Sequence, residues 1–265
     1  TKYSMAVHKI SPELLTLGQV DKILKEGMTL ELSQESRDRI VKCREYLDNK
    51  MKTQKEPIYG VTTGFGSLCN ISISKEQLSQ LQKNLVMSHA CGVGEEVPAE
   101  IVKIMLLNKI QSLSYGNSGV QLQTVERLIA FFNNDILPVV YQQGSLGASG
   151  DLAPLAHMCL PLLGLGQVDY KGKRISGEEL NKEFNWQPIE LQSKEGLALL
   201  NGTQFMSSFA VWCVIKAQKL SDLADKIMVV SLEGFDGRIE PFFDPVHQVR
   251  PHAGQIETAK RVREM

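Results

Sequence analysis

Apolar residues recur at spacings of three and four along most of the chain, and alternation of period two is confined to short pieces, so the pattern predicts a mainly α protein. Ser33 stands where it can cap a helix carrying Ile40, Val41 and Leu47, and Ser74 with Gln77 has the form of a capping box ahead of Leu78, Leu81 and Leu85. Pro98 suits the first turn of a helix running through Ile101, Met105 and Ile110 toward Gly116. Val120 to Phe132 is a further amphipathic stretch, and Ser176 with Glu179 opens another. Only Gln167 to Ile175 reads as strand. There Lys171-Gly172 separates two short alternating runs, the signature of a small surface hairpin.

From Glu195 to Val230 the apolar positions, among them Leu199, Phe205, Phe209, Trp212, Ile215, Leu220, Leu223 and Ile227, spread too widely for a single stripe. This predicts a helix buried on several sides, as in the core of a bundle. The change of pattern divides the chain into a first domain over 1–200 and the beginning of a helical bundle over 201–265. Gln255 to Met265 is charged and helix-forming, without Gly, Asn or Pro to close it, and reads as a helix still running at the last residue.

Charge and cysteine usage narrow the function classes. With 29 basic and 30 acidic residues nothing attracts the chain to nucleic acid or to an anionic membrane, and the expected partners are small molecules and other subunits. Cys43, Cys69, Cys91, Cys159 and Cys213 are odd in number, scattered and free of C-x-x-C spacing, which argues against a disulfide framework and against structural zinc. No uninterrupted run of eighteen apolar residues occurs and no basic segment leads into an apolar one at the start, so the expected location is the cytoplasm, with no membrane insertion. His8, His157, His247 and His252 lack metal-ligand spacing and are read as structural, with no metal site.

The most informative stretch is Gly144-Ser145-Leu146-Gly147-Ala148-Ser149-Gly150-Asp151, followed by Leu152 to Met158. Three glycines permit backbone conformations closed to other residues, and Asp151 and Pro154 suit the first turn of a following helix. Three readings compete. One is a loop entering a buried helix. Another is phosphate binding at the helix N-terminus, weakened because neither G-x-x-x-x-G-K-[ST] nor G-x-G-x-x-G is present. In the third, the Gly150 nitrogen closes onto the Ala148 carbonyl carbon to form a five-membered ring, and loss of water from Ser149 leaves an exocyclic methylidene.

Here the sequence resembles the aromatic amino-acid ammonia-lyases and aminomutases. The resemblance is carried by Tyr59 to Gly66 (YGVTTGFG), Asn84 to Ala90 (NLVMSHA), Gly144 to Met158, and Leu199 to Gln204 (LLNGTQ), four matches in the family's order that span essentially the whole chain. It implies a 4-methylidene-imidazol-5-one built from Ala148, Ser149 and Gly150 as the electrophile, with no dissociable cofactor, and a homotetramer whose active sites are shared between subunits. It also implies Tyr59 as the base that takes a proton from the substrate β-carbon. A tyrosine titrates near pH ~10 and needs a stabilised phenolate for that task; on its residues alone Tyr59 could equally be a buried tyrosine beside a glycine-rich turn. Asn201 matches a site asparagine, although its place before Gly202-Thr203 also suits a helix cap. Members acting on histidine show the Ser88-His89 pair, and one imidazole can recognise another through a donor and an acceptor.

Together these imply ammonia elimination from L-histidine to give trans-urocanate, with tyrosine or phenylalanine lyase or aminomutase chemistry as alternatives. A catalytically silent helical scaffold is the alternative from another class. Two departures stand out. The family is about twice this length and carries a Tyr-Ser-Leu-Arg motif absent here, so these residues by themselves are expected to be inactive; and Gln121 occupies a position where the family commonly has arginine.

Overall fold

The computed structural model describes residues 6–53, 56, 58, 61, 63, 78–148 and 150–265. The protein is mainly α, as its periodicity predicts, and forms two compact units, Thr1–Ala210 and Val211–Met265.

The first unit opens with a feature that periodicity misses. Strands β1 (Val7–Ile10) and β2 (Thr29–Leu32) pair in parallel, and α1 (Leu17–Glu26) is the crossover that parallel pairing requires. A reciprocal capping box between Thr16 and Gln19 starts α1, and Gly27, at φ 60°, ends it. Four-residue strands give alternation too little length to register. Helix α2 (Gln34–Thr53) begins where expected, the Ser36 amide donating to Ser33 Oγ at 3.2 Å. Helix α3 (Leu78–His89) follows; its expected cap, Ser74 with Gln77, lies outside the described residues.

Strand β3 (Val93–Glu96) leads into α4 (Ala99–Ser114), the centre of this unit. Ile101, Val102, Ile104, Met105, Leu106, Leu107, Ile110 and Leu113 are all essentially inaccessible, so α4 is surrounded by other elements rather than covered on one face. Around it lie α5 (Leu122–Asn133), β4 (Leu137–Pro138), β5 (Tyr141–Gln143), which pairs antiparallel with β3, and α6 (Leu152–Cys159).

The expected hairpin is β6 (Gln167–Tyr170) and β7 (Lys173–Ser176), turning through Lys171 at φ 50° and Gly172 at φ 72°, the left-handed pair that matches strand twist in a two-residue loop. It is less peripheral than expected. Strand β6 also pairs with β4, giving a sheet of order β4-β6-β7 with Val168 fully buried. Ser176 and Glu179 then form the expected capping box of α7 (Gly177–Glu183).

The long apolar stretch is corrected in one respect. It is two helices, α8 (Glu195–Leu200) and α9 (Gln204–Gly234), separated at Asn201–Thr203 where Gly202 takes φ 141°. Within these residues Leu220, Leu223 and Ile227 are 66%, 51% and 58% exposed, so the cover expected of a bundle is not supplied by the chain's other described elements. Helical periodicity reports which residues are apolar and not whether anything covers them. Among the described residues Glu195–Gly234 is also the one helical stretch long and apolar enough, by length and composition, to cross a membrane. Its later turns nevertheless carry Lys216, Lys219, Asp222, Asp225 and Lys226. The second unit holds those turns together with α10 (Asp244–Gln248) and α11 (Ala253–Glu264), where Arg261 meets Asp222 and Asp225 and where Ala259 and Val262 are buried.

Two buried polar groups join loops of the first unit. Arg44 donates from α2 to the carbonyls of Gly119 (2.7 Å) and Ser193 (2.9 Å). Glu195, fully inaccessible, accepts from the Gln121 amide (2.8 Å) and its Nε2 (2.6 Å), from Thr124 Oγ1 (2.7 Å) and from the Gln192 amide (2.8 Å). Gln121 therefore meets Glu195 through neutral hydrogen bonds and not through an ion pair. Glu195→Ala strands these donors and is expected to remove about 3 kcal/mol of stability. In urea titration this appears as a lowered midpoint at unchanged slope.

Candidate active site

The glycine-rich turn ahead of α6 folds back on itself. Gly144, Gly147 and Gly150 take φ of 135°, 77° and 104°, and isolated bridges join Gly147 to Gly150 and Ala148 to Gly150. At two of these positions a side chain is also excluded by space. A Cβ on Gly150 would lie 2.7 Å from the Gly202 oxygen, and one on Gly144 would lie 2.9 Å from Gly92 Cα. Asp151 fastens the end of the turn: its amide donates to the Gly202 carbonyl at 2.8 Å, and its Oδ2 accepts the Met206 amide at 3.0 Å. Though it sits at the N-cap position of α6, its carboxylate serves the first turn of α9 instead, while Oδ1 is buried without a protein partner. The result is a tight backbone turn, closed to side chains at positions 144 and 150, with a buried carboxylate beside it.

Beside the turn is an open cavity of about 270 Å³, lined by Ala148, Gly150, Leu146, Leu152, His89 and Cys91 among others. His89 ends α3, and its Nδ1 lies 2.8 Å from the Leu85 carbonyl. A carbonyl only accepts, so Nδ1 donates to it and Nε2 is the ring nitrogen not engaged there. Ser88 Oγ donates to the same carbonyl at 3.1 Å, and Ser88 is exposed and does not line the cavity. Asn201 is exposed at the C-terminus of α8, its amide Nδ2 donating back to the Leu197 carbonyl at 3.2 Å. It reaches the turn only through its neighbour Gly202. The structure thus brings Ala148, Gly150 and His89 to one cavity, with Asn201 adjoining and Ser88 one residue removed. Tyr59 and Ser149 lie outside the described residues.

Two further groups stand around the site, neither of them given a site role by the sequence. His157, on α6, accepts the Gly92 amide at Nε2 (2.9 Å) and meets the Tyr141 ring edge-on at 5.1 Å between centroids. Burial holds its pKa below the usual imidazole value. Lys109, on α4, is 1% exposed and donates to the carbonyls of Ala198 (2.8 Å) and Asn201 (3.0 Å). Burial brings its ammonium down to about 8 and pushes the neighbouring Cys159 thiol up to about 12. A lysine on the core-facing side of so apolar a helix was the available signal; for His157 there was none beyond its closeness to the glycines.

Residues 15–265 match the family described as aromatic amino acid lyase. The chain belongs to that family. Within the aromatic amino acid lyases it is 47% identical over 251 residues to a histidine ammonia-lyase of Caldanaerobacter subterraneus subsp. tengcongensis, covering 95% of this chain and 49% of that protein. It is 45% identical over 250 residues to a histidine ammonia-lyase of Deinococcus radiodurans, covering 94% and 48%. Among solved structures, histidine ammonia-lyase from Trypanosoma cruzi superposes with TM-score 0.88 at 35% identity, covering 98% of this chain and 50% of that one. Tyrosine aminomutase from Streptomyces globisporus superposes with TM-score 0.90 at 34% identity, covering 98% and 49%. The chain spans about half the length of the relatives it matches.

The lowered pKa of His157 has a signed consequence for this lyase-family fold. Below about pH 6.5 the unfolded chain protonates this histidine before the folded one does, so its contribution to stability is lost as pH falls from there toward the folded value. His157→Gln is expected to flatten the acid side of the stability curve, measured as urea midpoint against pH, leaving the part due to His8, whose pKa is also lowered by burial.

Proposed function

We propose that the protein is a histidine ammonia-lyase that eliminates ammonia from L-histidine to give trans-urocanate. The observation that carries this reading is the doubled-back Ala148–Gly150 turn, with the space beside Gly150 filled by the Gly202 carbonyl and with His89 on the same cavity wall. Identity of 41–47% to histidine ammonia-lyases of several bacteria favours histidine over tyrosine or phenylalanine.

Ring closure is written from the chain's own atoms. The Gly150 nitrogen bonds to the Ala148 carbonyl carbon, whose oxygen leaves as water with the Gly150 and Ser149 amide protons; the Ser149 hydroxyl leaves as a second water with the proton on its Cα. The resulting group supplies an electrophilic carbon, which ordinary side chains cannot provide. His89 offers Nε2 to an N–H of the substrate imidazole. Tyr59 takes the β-proton and Asn201 contacts the substrate. Ser88, which does not line the cavity, is a substrate contact only if the site differs there when assembled. The N-terminal end of α6 favours negative charge next to the turn. We read the protein as a cytoplasmic homotetramer with sites shared between subunits, needing no metal or dissociable cofactor.

Intact mass of the purified full chain is expected two waters below the sequence value, with near-ultraviolet absorbance to match. Gly150→Ala and Ser149→Ala are each expected to abolish the shift and the deamination of L-histidine; an unshifted mass in the unaltered chain points to a silent scaffold. His89→Leu, assayed in the full-length protein, is expected to reduce kcat/KM for histidine by about a hundredfold while sparing phenylalanine, since an unpaired imidazole N–H in a site is strongly penalised. A β-amino acid product in place of urocanate would instead identify an aminomutase.

A further inference from the structure

The ring-forming turn leans on Gly202, and Gly202 must itself be held. Its segment, Asn201–Thr203, joins two helices through a residue at φ 141°. Both flanks are gripped by consecutive side chains of α4. Lys109 Nζ takes the Ala198 and Asn201 carbonyls on the α8 side, while Asn108 Nδ2 donates to Ser208 Oγ (3.1 Å) on the α9 side. The last carbonyls of a helix have no intrahelical partner, and in a dry core only a donor from elsewhere can satisfy them. An apolar residue at position 109 would fill the space and leave them bare.

We propose that Lys109 is a positioning residue for ring closure: through Ala198 and Asn201 it fixes the Gly202 carbonyl, against which Gly150 and Asp151 are seated. The proposal rests on the ring-closure reading above. Among the described residues Lys109 touches no reacting atom. It acts through the backbone, from Asn201 to Gly202, across the 2.8 Å bond to the Asp151 amide, and into the turn whose Gly150 nitrogen must approach the Ala148 carbon. Position is what this step needs, because an amide nitrogen is a poor nucleophile and gains its rate from enforced proximity. The desolvation that depresses the lysine shows that packing alone does not favour an amine here, which agrees with a role in donating hydrogen bonds.

The test compares the unaltered full chain with K109M, which keeps the volume, and K109Q, which keeps N–H donors without the charge. Two readouts are taken: the rate at which two waters are lost, by intact mass, when chain recovered unclosed and denatured from inclusion bodies is refolded, and hydrogen exchange of the Asp151 amide against that of the β1–β2 pairing. K109M is expected to slow closure about tenfold and K109Q about threefold, as buried acceptors lose their donor wholly or in part. Asp151 exchange quickens in both while β1–β2 protection stays. Closure at the unaltered rate in K109M overturns the proposal, as does protection lost equally everywhere in both variants, which marks a general stability role. If K109M does not fold, K109Q decides by the same criteria. An unaltered chain that never loses two waters sinks the ring-closure reading instead, and the Asp151 exchange still judges whether Lys109 holds the segment.

Discussion

One backbone carbonyl, that of Gly202, organises the chemistry-bearing end of the first unit. It accepts the Asp151 amide and occupies the space that any side chain at position 150 would need. Much of the local structure answers to that contact. Residue 150 has to be glycine for reasons of volume as well as of φ, α8 and α9 have to be separate helices so that a carbonyl can point out between them, and the Asp151 carboxylate has to leave its own helix to hold the start of the next. A close approach of two backbones is enforced by the core behind it and not by the turn alone.

That core is unusual in how it uses polar groups. Arg44, Lys109 and Glu195 are all buried, and each spends its hydrogen bonds on loops and helix ends rather than on an opposite charge. Arg44 alone also meets a carboxylate, that of the half-exposed Asp48. Burying such groups costs desolvation, and a hydrophobic residue of similar size would often serve stability as well. What apolar packing cannot do is fix the register of irregular backbone. Loops whose carbonyls are individually claimed cannot slide, and of these the Asn201 segment adjoins the glycine-rich turn.

Local chemistry was legible wherever a few adjacent residues decide the outcome. The Ser176–Glu179 box, the Lys171-Gly172 turn and the helix after Ser33 appear where the sequence predicts them. The glycine cluster announced a turn of unusual backbone before a helix, and that is what stands there. Non-local consequences were less visible. Strands β1 and β2 are four residues each and need one another to exist; the apolar stretch after Glu195 shows its helical period but not which elements cover it. Lys109 was hidden for the opposite reason, since it sits among Met105, Leu106, Ile110 and Leu113 and looks like an interruption of a greasy face. Its meaning lies in the ends of helices almost a hundred residues later.

Glu195 carries a quieter implication. Its carboxylate is gripped by two amides of the main chain, a hydroxyl and a carboxamide, none of them ionised. Dissolved ions weaken attractions between charges that water can reach, and they have little purchase on a buried anion held by neutral dipoles. Glutamine at position 121 thus leaves this corner of the fold without an ion pair between the two residues for salt to loosen.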